Sequence, residues 1–432
     1  MQKLLGKKKR KQKVDQISEK NIIKSSLNEN VSTAIDYSNL PRFRWYGYKE
    51  GFSPSLVSEA INRIGMDEND YILDPFNGNG TVTLTASINN IKSIGIEVNP
   101  FVSFMSKVKL ENFSHKIFSE NIDKVLSATT SNKKSSLENY STFSEKTGKD
   151  KWLFNSPILR AFEAGWQSVE SLPQVGKEIF QLSLIGAAMD NCNATKDGKC
   201  LKYRSNWKNR KFDKNDFNES LSKRLEVIKE DLRESLMPQK SKIINGDARM
   251  LIKTIPEGYK LCITSPPYLN SFDYTDIYRP ELFLGKFIRT SEELRKLRYK
   301  TIRSHVEITL PTPTHNAFGE IYRSIHKEIS DSELIWSNQI PIMIQSYFED
   351  MENILSNLLL KAKSGGELWL VVANSVYVGV EIPVDLILAE IGTRQGWKLA
   401  RIEVLRNIYR RKTKYSGNIN KIRESLIVFR KE

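Results

Sequence analysis

Tyr71-Ile72-Leu73-Asp74-Pro75-Phe76-Asn77-Gly78-Asn79-Gly80-Thr81 runs from an apolar triplet into an acid, a proline and two glycines. Tyr71 to Leu73 read as a buried strand. Gly78 and Gly80 suit a tight turn that lets backbone approach a ligand, and Val82, Leu84 and Ala86 then continue as a helix. A second strand, Ser93 to Ile96, ends at Glu97-Val98-Asn99-Pro100. Strand, glycine-rich turn, helix, strand and terminal acid make a βαβ nucleoside-binding unit. An acid about 20 residues beyond the first strand is placed to accept hydrogen bonds from ribose hydroxyls.

Upstream of this unit stands a dense aromatic cluster, Phe43, Trp45, Tyr46, Tyr48 and Phe52, followed by Ser53-Pro54. Ser53 suits an N-cap and Pro54 a first turn, and Leu56, Val57, Ala60, Ile61 and Ile64 supply the apolar face of a helix. Residues 1 to 40 begin with Lys7-Lys8-Lys9-Arg10-Lys11 and show little apolar period, so a mobile basic arm is expected there. Such an arm suits a phosphate backbone or a localisation signal, and equally a plain solvated terminus.

Downstream, Leu261 to Ile263 read as another buried strand, broken by Thr264-Ser265-Pro266-Pro267-Tyr268. Proline supplies no ladder donor and fixes its own φ, so Ser265 to Tyr268 make a stiff loop at a strand's carboxyl end. In open α/β sheets that is where ligands bind. Ser241 to Asn245 is a further strand, again ending at an acid in Gly246-Asp247. Asn270 to Leu282 then mixes aromatics with acids. Sheet signals resume at Gly366 to Val372 after a helix from Tyr347 to Lys361. A helix from Ile382 to Gln395 comes next, and Leu399 to Leu405 and Ser425 to Phe429 read as a final pair of strands.

The chain has 432 residues, a net charge of +15, 39% hydrophobic and 10% aromatic residues. These are values of a large globular protein with a polyanionic partner, nucleic acid first, although basic charge also suits membrane surfaces and solubility. Three cysteines and four scattered histidines leave no disulfide framework and no metal-ligand spacing. The N-terminal segment is too polar for a signal peptide and no apolar run is long enough to span a bilayer, so a cytoplasmic location without membrane contact is expected.

Taken together, these motifs resemble the S-adenosylmethionine-dependent amino-methyltransferases of DNA, over about 45 to 110 and 240 to 430. The resemblance implies an α/β, Rossmann-like methyltransferase with a mostly parallel sheet, an antiparallel final strand and largely helical insertions. It implies S-adenosylmethionine as cofactor, held by Asp74, Pro75, Phe76, Gly78, Gly80 and Thr81, with Glu97 toward the ribose, Asp247 toward the adenine, and Phe52 and Ser53 near the methionine portion. Ser265, Pro266, Pro267 and Tyr268 look like the catalytic loop, in the Ser-initial form often seen in cytosine-N4 enzymes. The implied reaction is methyl transfer to the exocyclic N4 of a flipped-out cytosine in double-stranded DNA. Adenine N6 and RNA amines are alternatives, and a non-catalytic DNA-binding protein on the same scaffold is a reading of another class.

The resemblance divides the chain into a basic arm at 1–40, a cofactor part at 41–111, an insertion at 112–240 and a catalytic part at 241–432. The insertion is the expected target-recognition region, with the basic stretch of a second insertion at about 286–345 as its rival. Within the first, 112–150 reads as a loop or a weakly ordered region, Trp152 to Ala188 and Leu221 to Leu236 read as helical, and Lys199, Lys202, Tyr203, Arg204 and Arg210 interleave cations with rings. These, with Arg410, Arg411 and Lys412 at the tip between the final strands, are the expected nucleic-acid contacts; a solvated basic face is the other reading. No nuclease-like cluster of acids and lysine stands out. A cognate restriction endonuclease remains an open partner.

Overall fold

The apolar runs at Tyr71, Ser93, Leu261 and Leu368 become neighbouring parallel strands of one sheet in the computed structural model, which describes residues 17–33, 39–198, 200–238, 240–410 and 419–432. The strands are β1 (Ile22–Lys24), β2 (Tyr71–Asp74), β3 (Lys92–Glu97), β4 (Ala194–Asp197), β5 (Cys200–Tyr203), β6 (Ser241–Asn245), β7 (Tyr259–Thr264), β8 (Ala362–Ala373), β9 (Ser375–Tyr377), β10 (Val380–Ile382), β11 (Lys398–Tyr409) and β12 (Lys421–Arg430). The main sheet has eight of them, in the order β1-β11-β12-β8-β7-β2-β3-β6. Within it only β12 runs against the others, pairing antiparallel with both β8 and β11.

Side-chain alternation along these strands divides the core between two faces. Ile72, Leu261, Ile263, Trp369 and Val371 pack under helix Pro54–Ile64, whose Leu56, Val57 and Ala60 are buried. Leu73, Cys262, Leu368, Leu370 and Val372 point the other way, against helices Gln339–Lys361 and Val384–Gln395. The strand order reverses between β2 and β7, which opens a crevice at their carboxyl ends.

Two expectations are corrected. The segment 112–150 is not simply a loop, because helix His115–Thr129 lies within it. Its buried residues, Phe118, Ile122 and Val125, come about once per turn on a polar background, and their partners are the helices Ser156–Ser168, Gln174–Asp190 and Lys214–Glu234 of the same insertion. The second correction concerns the arm at 1–40. Residues 1–16 and 34–38 lie outside the described residues, but Ile17 and Val31 are buried and β1 docks parallel to β11 at the sheet edge.

The segment before the first helix is tied to the insertion by Asp231, which is buried on helix Lys214–Glu234. Its carboxylate accepts from the Arg42 amide at 2.8 Å, the Trp45 indole at 2.8 Å and the Arg44 guanidinium at 2.6 Å. Several cations of the second insertion are likewise committed to neighbours. Arg298 pairs with Asp273 at 2.6 Å, and Arg303 with Glu349 and Asp350 at 2.7 Å each. No helix among the described residues is long and apolar enough to cross a membrane.

Candidate active site

A cavity of about 740 Å³ lies in the crevice between β2 and β7. The loop after β2, the end of β3, the loop after β6 and the loop after β7 all line it, so the elements singled out in the sequence share one space. Phe52 contributes its ring to the wall. Ser53, by contrast, is buried beneath the surface as the cap of helix Pro54–Ile64, accepting from the Ser55 amide at 3.2 Å.

The loop after β2 is built by its own polar side chains. Asp74 Oδ1 accepts from the Phe76 amide at 3.0 Å, and Asn79 Oδ1 accepts from the Thr81 amide at 3.1 Å. Gly80 adopts φ 87° and ψ 22° as it caps helix Thr81–Ile88, a left-handed conformation that a side chain would strain. A Cβ there would also stand 3.0 Å from that of Ser106. Glu97 closes the turn, its two oxygens accepting from the amides of Gly78 at 2.9 Å and Asn99 at 2.8 Å. That bracing leaves the second lone pair on each oxygen for a ligand.

Asp74 and Glu97 are two acids facing one cavity with no ion-pair partner for either among the described residues. Burial pushes both carboxyls up to about 7 from their ordinary range, against the hydrogen bonds that each accepts. Such a pair suits a ligand carrying hydroxyls and positive charge, and the aromatic wall of Phe52, Tyr48 and Tyr278 favours a cation as well. The residues present therefore fit a sulfonium nucleoside bearing an ammonium group. Asp247 caps a short turn after β6 and receives both sides of the Arg249 guanidinium, at 3.0 and 2.7 Å, while it lines the far end of the cavity.

The catalytic-loop candidates meet the cofactor-loop candidates directly. Thr264, the last residue of β7, donates its hydroxyl to Asp74 Oδ1 at 2.6 Å. Next to it, Ser265 Oγ donates to the Tyr268 phenol at 3.3 Å, and that phenol donates to Glu424 Oε1 at 2.8 Å. Glu424 is buried on β12, and its other oxygen accepts from Arg406 Nε on β11 at 2.6 Å. Burial, and then the neighbouring Glu424 charge, hold the Tyr268 phenol protonated far above its ordinary range. Pro266 and Pro267 complete the same wall.

Glu424 and Tyr278 line the cavity as well, although the sequence did not single them out. Tyr278 stacks on Tyr48 with centroids 5.5 Å apart, donates to Glu50 at 2.7 Å and carries the Lys196 ammonium 3.5 Å above its ring. The aromatic clusters around 46–52 and 270–282 were the available signal for this pair. Nothing marked Glu424, an isolated acid at the start of an apolar strand. Lys300, Thr301, Ser304 and His305 of the second insertion also reach the cavity.

The nucleic-acid candidates divide by environment. Arg210 is exposed above the Phe212 ring at 4.4 Å, and Lys202 is exposed beside Asp197 at 3.1 Å. Tyr203 packs half-buried against Trp207. Arg204 is occupied with the carbonyls of Cys192 and Asp190, at 2.8 and 3.1 Å. Arg410 is half-buried near the Ile419 carbonyl at 3.4 Å; Lys199, Arg411 and Lys412 lie outside the described residues.

Residues 2–107 match the model of the DNA methylase family of N6/N4 methyltransferases. Over most of its length the chain is similar to two curated proteins. One is Type II methyltransferase M.BsoBI of Geobacillus stearothermophilus, 27% identical over 90% of this chain and 85% of that protein. The other is Type II methyltransferase M.AvaI of a Nostoc strain, 28% identical over 88% of this chain and 84% of that protein. A third, M.MjaII of Methanocaldococcus jannaschii, shares 38% identity over 66 residues, 15% of this chain and 12% of its own. A glycine-rich loop and a Ser-Pro-Pro-Tyr loop facing each other across one cavity, joined to these similarities, support a DNA amino-methyltransferase of the N4/N6 class with S-adenosylmethionine as its cofactor.

Proposed function

We propose that this methyltransferase modifies the exocyclic N4 of cytosine within a short recognition sequence in double-stranded DNA, as the modifying partner of a restriction endonuclease. The observation that carries the reading is the single cavity of about 740 Å³ lined by both Asp74 to Thr81 and Ser265 to Tyr268. The cofactor supplies an electrophilic methyl on sulfonium.

The chain's task is to present an amine whose lone pair is delocalised into its ring. Ser265 donates its own proton to Tyr268, which keeps its oxygen lone pairs available to accept from the amine. The Pro266 carbonyl accepts the other amino hydrogen, and the two acceptors together favour a more tetrahedral nitrogen facing the methyl. The two prolines prevent these acceptors from drifting. Orientation and fixed dipoles then provide much of the acceleration. Since a base inside a duplex cannot reach this crevice, it flips out and stacks on the Tyr268 ring. Glu97 would hold the ribose hydroxyls of the cofactor and Asp247 its adenine, with Phe76 and Phe52 supplying apolar lining.

Target recognition belongs to the helical insertion at 112–240, where the β4–β5 hairpin brings Lys196 to the cavity and carries Lys202, with Arg210 exposed further along the chain. Arg410, with Arg411 and Lys412 after it in the sequence, supplies phosphate contacts. Incubation with unmethylated DNA and labelled cofactor, followed by digestion to nucleosides, tests the reading. N4-methylcytosine is the expected product. N6-methyladenine would reassign the base, and the absence of label from DNA would overturn the reading.

A further inference from the structure

We propose that Glu424 is the terminal acceptor of the proton released from the target amine, reached through Ser265 and Tyr268. The inference rests on the alignment of the amine by Ser265 proposed above. Three oxygen sites stand in a continuous line in which every hydrogen bond points the same way. Ser265 Oγ donates to Tyr268 at 3.3 Å, Tyr268 donates to Glu424 at 2.8 Å, and the carboxylate donates to nothing. A chain of hydroxyls ending on a carboxylate is a one-way path for a proton.

The proton needs such a path because the methylated amine is cationic in a site that flipping and stacking have closed to water. During transfer the methyl carbon forms its bond to nitrogen as the bond to sulfur breaks, the electron pair leaving on sulfur. One amino proton moves to Ser265 Oγ, the serine proton to the Tyr268 oxygen, and the phenol proton to Glu424 Oε1. Ser265 and Tyr268 finish neutral, as they began, and Glu424 becomes a neutral acid. It discharges to water when the cavity opens for product release.

The surroundings of Glu424 fit an acceptor more closely than a mere brace. Its second oxygen is occupied by Arg406 at 2.6 Å, which fixes the carboxylate and leaves Oε1 to the phenol. Glu424 is buried, yet it is among the residues lining the cavity, so its proton has an exit. Tyr268 is held protonated by burial, as a carrier must be, and does not serve as the base itself. Glu424 touches no reacting atom and acts only through the two residues before it.

The experiment measures single-turnover methyl transfer to unmethylated plasmid DNA of mixed sequence, in light and heavy water, at saturating cofactor. Glu424→Gln keeps an acceptor for the phenol but removes the proton sink, and Tyr268→Phe keeps the ring but cuts the line. Both are expected to bind cofactor as the wild type does, to slow transfer by about 100-fold or more, and to lose the solvent isotope effect that the wild type shows. A residue that only held the ring in place would leave the isotope effect intact, and that result overturns the proposal. So does a wild type without an isotope effect, or a Glu424→Gln variant within about threefold of wild type. Ser265→Ala separates the two levels. If it is slow while Glu424→Gln is fast, only the relay fails; if Ser265→Ala transfers at the wild-type rate, the alignment reading fails with it.

Discussion

Replacing Asp74 by Asn should stabilise the cofactor-free protein, and by an amount that depends on pH. Asp74 is 2% exposed, accepts hydrogen bonds from Thr264 and Phe76, and has no cation paired with it among the described residues. Burial raises its carboxyl from 3.8 to about 7. Between those values the unfolded chain has lost the proton and the folded chain still holds it. The unfolded state therefore binds fewer protons, and stability falls as pH rises through this window. The full penalty amounts to about 4 kcal/mol near pH 8, and about 2 kcal/mol of it is already present near pH 5. Asparagine retains the oxygen that accepts both bonds and removes the charge. Urea unfolding of wild type and Asp74→Asn at the two pH values should give gains close to these figures, the larger at the higher pH. The same variant should bind cofactor less well, because a charge kept in a costly place is what a cationic ligand rewards. An Asn variant less stable than wild type near pH 8, or a gain equal at both values, would refute the reasoning.

Gly95→Ala tests the support of the cofactor loop: a Cβ there would stand 2.4 Å from the Asn77 amide oxygen, which also accepts from Thr83. Weakened cofactor binding in a still-folded protein, with about 1–3 kcal/mol lost in urea unfolding, is expected. Asp231→Ala removes a buried acceptor shared by Arg42, Arg44 and Trp45 and should cost about 3–5 kcal/mol by the same measurement. Lys202→Ala and Arg210→Ala should each weaken DNA binding on any sequence and reduce its logarithmic salt dependence by about 1, read from titrations at several salt concentrations.

The central sheet was legible because its strands are short apolar runs that end at punctuation a βαβ unit requires. Asp74 to Thr81 and Thr264 to Tyr268 declare themselves through glycine and proline, whose backbone constraints hold in any context. The less legible parts are those whose meaning depends on a distant partner. Helix His115–Thr129 shows about one buried apolar residue per turn, and only the three helices packed on it turn that thin stripe into a core. Strand β1 takes its order from the edge of β11. Glu424 lies 156 residues from Tyr268, and no local pattern records that their strand and loop converge. The basic stretch of the second insertion read as a rival target-recognition region because the acids that engage Arg298 and Arg303 sit on other elements.

The bond from Thr264 to Asp74 spans 190 residues of sequence and 2.6 Å of space. On the proposed assignment, the methyl donor's seat and the acceptor's seat are thus registered to each other by adjoining strands, not by the length of chain between them. Everything looped out in that interval, including the helical insertion, enters and leaves on the same sheet without setting this distance. A lineage can therefore lengthen, exchange or redesign the part proposed to choose where on DNA to act while the sheet keeps this distance. New specificities can arise here by replacing a reader on a fixed writing head.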